Sequence, residues 1–193
     1  MRVVAKNIIT GIVYLLVLPT GLAARLCHLL FDSRCVFDFF AQLHAFAPGL
    51  PGRYARRAYY NQTLARSPMD VDFAFGSLVT KIRTTFGHRV YVGLYSSVGL
   101  AHVGDDTVLA NYVSILSGSH QHNFENPDQP IFSLVDEFAE VHIGTGCFIG
   151  EKATVMADVG DKTIVGAGTM VVRDIPDYEV AVGNPARVVK HRR

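Results

Sequence analysis

The sequence predicts a mainly β protein: a parallel β-helix of hexapeptide repeats, preceded by a helical, membrane-associating segment. Three observations predict it: an aliphatic residue that returns about every six positions, a small residue behind it, and a long uncharged run near the start. Between Val141 and Lys190 the pairs Ile143-Gly144, Ile149-Gly150, Val159-Gly160 and Val165-Gly166 recur, with Cys147, Ala153, Thr163 and Thr169 four positions after each aliphatic. Short repeats of this period mark β-helices. Six residues at strand geometry make one flat face, three faces close a coil, and the aliphatic residue points inward. The glycine beside it is expected to relax the backbone near each corner.

The same register runs upstream through Phe86, Val92, Val98, Val103, Leu109 and Ile115, the first five followed by Gly87, Gly93, Gly99, Gly104 and Ala110. With Val155 and Val171 this makes twelve inward positions, spaced 6, 6, 5, 6, 6, then 28, then 6, 6, 4, 6, 6. A β-sandwich would need longer strands and two-residue turns such as Asn-Gly, and no such turn is present.

Ile8 to Ala24 is a run of seventeen uncharged residues with Arg2 and Lys6 before it and Arg25 after it. About 20 apolar residues are needed to span a bilayer, and basic charge on both flanks favours neither orientation. A signal peptide would share the basic start and apolar run, with Gly21-Leu22-Ala23 a weak cleavage site. Pro19 and Gly21 are expected to break the helix, so a re-entrant or in-plane segment is the preferred reading. Val36 to Leu50 adds a wide aromatic surface suited to an interface; membrane lipids are thus the expected partner of residues 8–50.

Arg53 to Arg66 carries four arginines and three tyrosines. It is either a solvated connector helix or a juxtamembrane patch for headgroups or the pyrophosphate of a lipid-linked sugar. Met69 to Thr85 should lead into the first coil, with Phe73, Phe75, Leu78 and Ile82 covering its open end. The expected division is therefore 1–74 helical and 75–193 β-helical. The 28-residue step has no hexad phase, so 117–140 is read as an extruded loop; long loops on rigid scaffolds are usually functional.

Composition narrows the classes. A net charge of +1 and the lack of a basic stripe interleaved with aromatics argue against nucleic acid. Cys27, Cys35 and Cys147 form no metal-like pair, and their odd number argues against a disulfide framework.

The hexads, together with Gly166-Ala167-Gly168-Thr169, Asp174-Ile175-Pro176 and Gly183-Asn184-Pro185-Ala186-Arg187, resemble the hexapeptide-repeat acyltransferases, in particular O-acetyltransferases of polysaccharide assembly. The resemblance covers roughly residues 75–190. It implies a left-handed coil, against the usual crossover preference, a homotrimer, and acetyl-CoA bound between subunits with no metal. A sugar hydroxyl of a membrane-associated polysaccharide or lipid-linked precursor is the implied acceptor. Catalysis then needs a base for the hydroxyl proton, and imidazole suits that role near neutral pH. Relatives carry this histidine in a comparable loop, which points to His120, with His122 second, in SGSHQHNF. Gly118 and Ser119 are candidate oxyanion donors, and Glu125 a candidate orienting carboxylate. His102 occupies a small-residue slot and reads as structural; His142 abuts the coil.

For the donor, Gly144, Phe148, Gly150, Gly166, Ala167 and Gly168 match positions lining the pantetheine arm in relatives. Asn184, Pro185, Ala186, Arg187 and Lys190 match the turn near the nucleotide. Phe148 stands where many relatives carry Trp and Lys152 where Asn is frequent, and the four-residue step at Val155 shortens one corner. Three readings compete. A soluble acceptor such as an antibiotic leaves the apolar N-terminus unexplained. A zinc carbonic anhydrase of the same fold needs a histidine spacing that His120 and His122 lack. A non-catalytic scaffold has no need of SGSHQH.

Overall fold

The computed structural model describes residues 2–118 and 138–192, with side chains from residue 8 onward. Three helices come first: α1 (Arg2–Phe31), α2 (Cys35–Ala45) and α3 (Gly49–Thr63). Short strands follow and stack into three flat faces. The first face holds β1 (Asp72–Phe73), β4 (Tyr91–Val92), β7 (Val108–Leu109), β10 (Phe148–Ile149), β12 (Ile164–Val165) and β14 (Glu179–Val182), all parallel. The second holds β2 (Leu78–Val79), β5 (Ser97–Val98), β8 (Ser114–Ile115), β11 (Thr154–Val155) and β13 (Met170–Val171). The third holds β3 (Thr85–Phe86), β6 (Ala101–Val103) and β9 (Val141–Ile143), continued by bridges through Val159 and Ile175. The chain visits first, second and third face in turn, so each coil is a triangle. An antiparallel strand, β15 (Arg187–His191), closes the far end against β14.

All twelve predicted inward residues are 2% exposed or less. The inward row also takes in Phe73 and Val79 before Phe86, and Ile175 and Ala181 after Val171. The first strand of the β-helix therefore begins at Asp72, ahead of the expected position 75. The four-residue step from Val155 to Val159 recurs from Val171 to Ile175, and both fall on the corner between second and third faces.

The glycines behind the aliphatic residues serve a different purpose from the one expected. Their backbone does not turn unusually; instead the next coil occupies the space a side chain would need. A Cβ on Gly150 would lie 2.5 Å from the Ala167 nitrogen, and one on Gly104 would lie 2.7 Å from the Gly144 carbonyl carbon. The left-handed conformation falls two residues later, on Arg89, Tyr95, Asp106, Tyr112, Lys152, Lys162 and Tyr178, where φ is between 55° and 61°.

The open end of the first coil is covered by α3 rather than by the four residues expected. Phe73 is itself in the inward row, with the Tyr60 ring of α3 tilted against it at 4.7 Å, centroid to centroid. An uncovered edge would leave backbone groups without partners, and α3 supplies them. The Tyr60 hydroxyl accepts the Val79 N–H at 3.0 Å. Arg56 donates Nε to the Phe73 carbonyl at 2.9 Å, and Arg57 donates Nε to the Val71 carbonyl at 2.8 Å.

Arg56 is buried, and its Nη1 also reaches the carbonyls of His44, Ala45 and Ala47 at the end of α2. A cation there complements the negative helix terminus. Burial pushes its pKa down from the usual value, with Tyr60 and Asp72 acting against it. Arg53 and Arg57 both pair with Asp72. The arginine-rich helix is thus neither a solvated connector nor a headgroup patch at these three positions; it fastens the helices to the first coil.

The break expected at Pro19 and Gly21 does not occur, because α1 is continuous through both. Proline removes one helical hydrogen bond, yet Val17, Gly21 and Ala24 on the same stripe are buried and hold α1 against its neighbours. Gly21 permits the close approach of α3, since a Cβ there would lie 3.0 Å from the Gln62 Cβ. No hairpin forms inside 8–24; the turn comes at 32–34. Across that turn the free thiols of Cys27 and Cys35 lie 3.9 Å apart, a proximity their sequence spacing hid. The outer side of the helices stays apolar: Leu16, Leu29, Leu30, Phe31, Phe39 and Leu43 are all exposed.

Replacing Arg56 with Ala should cost at least about 3 kcal/mol, because several buried carbonyls lose their donor. Arg66→Ala, whose side chain is exposed, should stay within about 0.5 kcal/mol. Urea denaturation of both variants checks this; equal effects would mean that the Arg56 contacts are not what secures the cap.

Candidate functional site

The two ends of the segment read as a loop, Gly118 and Ala139, lie at one point on the coil. After Ile115 the chain passes Leu116 and Ser117 to Gly118, whose φ of 83° redirects it off the coil. The Ala139 N–H donates to the Ser117 carbonyl at 3.1 Å, and a Cβ on Gly118 would lie 2.8 Å from the Ala139 Cβ. The two ends are pinched together, so the insertion leaves the stacking of coils intact. Its root lies on the corner between second and third faces. His120 and His122, the predicted bases, lie outside the described residues, as do Ser119 and Glu125.

Two clefts flank this root. Toward the N-terminus a cleft of about 230 Å³ is bordered by Thr80, Lys81, Ser97, Ser114, Ser117 and Phe138. Toward the C-terminus one of about 400 Å³ is bordered by Gly118, Glu140, Met156, Asp158, Arg173 and Asp174. The serines were not singled out in the sequence; Ser97 and Ser114 pair one coil apart, and that recurrence was the available signal.

On the third face, His102 and His142 stack outward with ring centroids 6.1 Å apart. His102 does not fill an inward slot; its Nδ1 hydrogen-bonds the Thr85 hydroxyl at 2.8 Å. His142 sits 3.6 Å from Asp158 and 3.9 Å from Glu140. Both histidines therefore have local partners. Among the described residues no group of three His, Cys, Asp or Glu side chains is placed to hold a metal.

The predicted donor positions separate into four places. Gly150, Gly166, Ala167 and Gly168 meet at the corner between first and second faces, where the Gly168 N–H donates to the Glu151 carbonyl at 2.8 Å. Asn184, Pro185 and Ala186 join them, since the Met170 N–H donates to Gly183 and the Ala186 N–H to Met170. Arg187 and Lys190 follow on β15 with exposed side chains. Phe148 projects from the first face. Gly144 stands apart, at the corner between third and first faces, packed against Asp161.

Small size at Gly150 and Gly166 is already required by the coils they touch; a Cβ on Gly166 would lie 2.8 Å from the Val182 Cγ1. Gly168 differs, having open space before it and φ of 68°. Ala167 beside it is exposed, so a slender chain could lie along this corner. Within one subunit, this surface and the loop root occupy opposite edges of the second face.

Comparison with known proteins sets these features in a family context. No family model matches the chain. It is 42% identical over 55 residues to a dTDP-3-amino-3,6-dideoxy-α-D-galactopyranose 3-N-acetyltransferase from Aneurinibacillus thermoaerophilus, covering 28% of this chain. The match spans 29% of that relative, less than a third of its length. A hexapeptide-repeat-containing acetyltransferase from Vibrio cholerae superposes with a TM-score of 0.63 at 14% identity, over 81% of this chain and 89% of that one. The chain has the hexapeptide-repeat acyltransferase fold. A galactoside acetyltransferase in complex with coenzyme A gives the same TM-score at 18% identity, over 82% of this chain and 80% of the other. The coil is thus the left-handed β-helix of these acetyltransferases.

Within this acyltransferase fold the two kinds of glycine should respond differently to substitution. Gly150→Ala forces a methyl against fixed backbone and should cost about 1–3 kcal/mol. Gly168→Asn faces open space and keeps a residue that tolerates left-handed backbone, so it should cost less than about 1 kcal/mol. Thermal and urea unfolding check the order; the reverse order would contradict the packing role of Gly150.

Proposed function

We propose that the protein is an acetyl-CoA-dependent O-acetyltransferase acting on a sugar hydroxyl of a membrane-associated polysaccharide or lipid-linked glycan precursor. The observation that carries this reading is the combination of an acetyltransferase coil bearing a loop at one corner with helices whose outer side is apolar. Sugar acetyltransferases and coenzyme A complexes among its structural and sequence relatives support the donor and the acceptor class. Within Ile8–Phe31 a stretch of 18 residues has a mean hydropathy of 1.7 and only 17% of it is buried, which supports attachment to lipid along residues 8–50. With no break at Pro19, an in-plane helix at the cytoplasmic face suits the exposed α1 and α2 surfaces better than a re-entrant hairpin. A soluble acceptor would leave that apolar surface without a role.

In the proposed reaction His120 removes the hydroxyl proton as the oxygen attacks the thioester carbonyl. The carbon–sulfur bond then breaks, the acetyl ester forms, and the imidazolium returns its proton to the coenzyme A thiolate. His122 is the second candidate for this proton transfer. The donor would lie along Gly150, Gly166, Ala167 and Gly168, with Arg187 and Lys190 near its phosphates.

A homotrimer is supported by two features. The first face presents an outward column of Tyr91, Val108, Phe148, Ile164 and Val180 in register, an apolar strip suited to burial against another copy. The separation of loop root and donor corner within one subunit is resolved if each site takes its loop from one copy and its corner from the next.

His120→Ala should lower acetyl transfer by roughly 100- to 10,000-fold while acetyl-CoA binding persists. His122→Ala should retain activity. Activity in His120→Ala with loss in His122→Ala would transfer the role to His122, and activity in both would remove histidine catalysis. The same protein should stay with membranes through a wash in about 1 M salt; release would contradict an apolar anchor.

A further inference from the structure

Three clefts adjoin one another, running from the seam between the helices and the coil to the loop root. The first, about 410 Å³, opens between α1 and α3 against Ala24, Leu29, Phe37, Leu64 and Ile82, an apolar lining with His28 and Arg25 at its edge. The second, about 380 Å³, is bordered by His28, Arg34, Lys81, Ile82, Arg83 and Phe138. The third is the 230 Å³ cleft with Ser97, Ser114 and Ser117 at the loop root. Neighbouring clefts share His28 and Ile82, then Lys81 and Phe138. They form one track that is apolar, then cationic, then hydroxyl-bearing.

The middle stretch holds like charges together. Arg34 donates Nη1 to the Thr80 carbonyl at 2.6 Å, which brings its guanidinium beside Lys81. The Lys81 ammonium lies 3.3 Å from the centroid of the Phe138 ring. Burial and then the Arg34 charge push the Lys81 pKa down, with Asp38 the carboxylate acting against them. Among the described residues neither Arg34, Lys81 nor Arg83 has a carboxylate within 4.0 Å. Clustered cations attract an anion, and guanidinium suits the bidentate geometry of phosphate.

We propose that this track binds the acceptor as an amphiphilic glycosyl phosphate. Its aliphatic tail lies in the cleft between α1 and α3, its phosphate or diphosphate on Arg34, Lys81 and Arg83, and its sugar over Ser97, Ser114 and Ser117. The order of the three chemistries matches the order of the three clefts. Leu29 borders the tail cleft and, like Leu30 and Phe31 after it in the chain, is exposed. This inference rests on the acetyltransferase reading for the reaction, whereas the binding it predicts is measurable without it.

The test uses the full chain in detergent, with farnesyl diphosphate as the probe and farnesol, inorganic pyrophosphate and a nucleotide diphosphate sugar as comparators. Farnesyl diphosphate should bind at least 10-fold tighter than each comparator. Lys81→Ala and Arg83→Ala should each weaken it roughly 10-fold, with acetyl-CoA affinity unchanged and Lys81→Arg retaining binding. Pyrophosphate binding as tightly as farnesyl diphosphate would overturn the tail assignment. A nucleotide diphosphate sugar binding tighter would replace the lipid-linked acceptor with a soluble one. Equal competition by vesicles with about 20% anionic phospholipid would reduce the cluster to a headgroup contact. Unchanged affinity in both alanine variants would remove the site. Farnesyl diphosphate binding without acetyl transfer to any glycan would instead overturn the proposed reaction and leave the site standing.

Discussion

Every coil of this protein borrows its backbone partners from the coils on either side, so the first coil has an edge that nothing below it satisfies. That edge is the constraint from which the rest follows. Unpaired backbone groups in a buried edge are costly, and the chain meets the demand with side chains of one helix. Tyr60 takes the Val79 N–H, Arg56 serves the Phe73 carbonyl, and Arg57 the Val71 carbonyl. Because Arg56 also reaches three carbonyls at the end of α2, the same side chain orients a second helix. Thr20 and His44, 3.2 Å apart, then tie α1 to α2. The plug of the β-helix and the apolar helical surface are one unit.

Coupling plug and surface has a chemical consequence. The helices cannot drift relative to the coil, so whatever they rest on is held at a fixed position relative to the corner bearing the loop. The seam between them carries the three clefts, and their polarity changes from apolar to cationic to hydroxyl-bearing as the loop root is approached. A repeat scaffold with two-residue strands has little room for a pocket of its own. Additions at its end and at one corner supply what the regular coil lacks.

Much of the fold was legible because an inward residue in a β-helix depends only on local spacing. The interruption between Ile115 and Ile143 was legible for the same reason, as the place where the phase fails. Phe73 and Val79 escaped because the step from Val79 to Phe86 lengthens to seven residues and breaks the register. The glycines were located correctly and explained wrongly: their requirement comes from the neighbouring coil, seventeen or so residues away, which no local turn rule contains. Arg56 looked solvated amid polar neighbours, since its partners at 44–47 and 73 are brought to it by folding. Arg34 and Lys81 are 47 positions apart (81 minus 34) and share no motif. Sequence periodicity reports stacking, whereas the charged side chains report contacts between the stack and its cap.

The proposed site is built from two copies of the chain, with His120 of one facing the glycine corner of the next. Two variants, each expected to be inactive alone, test it: His120→Ala in the loop and Ala167→Trp at the exposed corner. Co-expressed with different affinity tags and purified as mixed assemblies, they should recover partial acetyl transfer, because some interfaces then pair an intact loop with an intact corner. Mixed assemblies that remain as inactive as either parent would contradict a shared site and place both halves of the chemistry within one subunit.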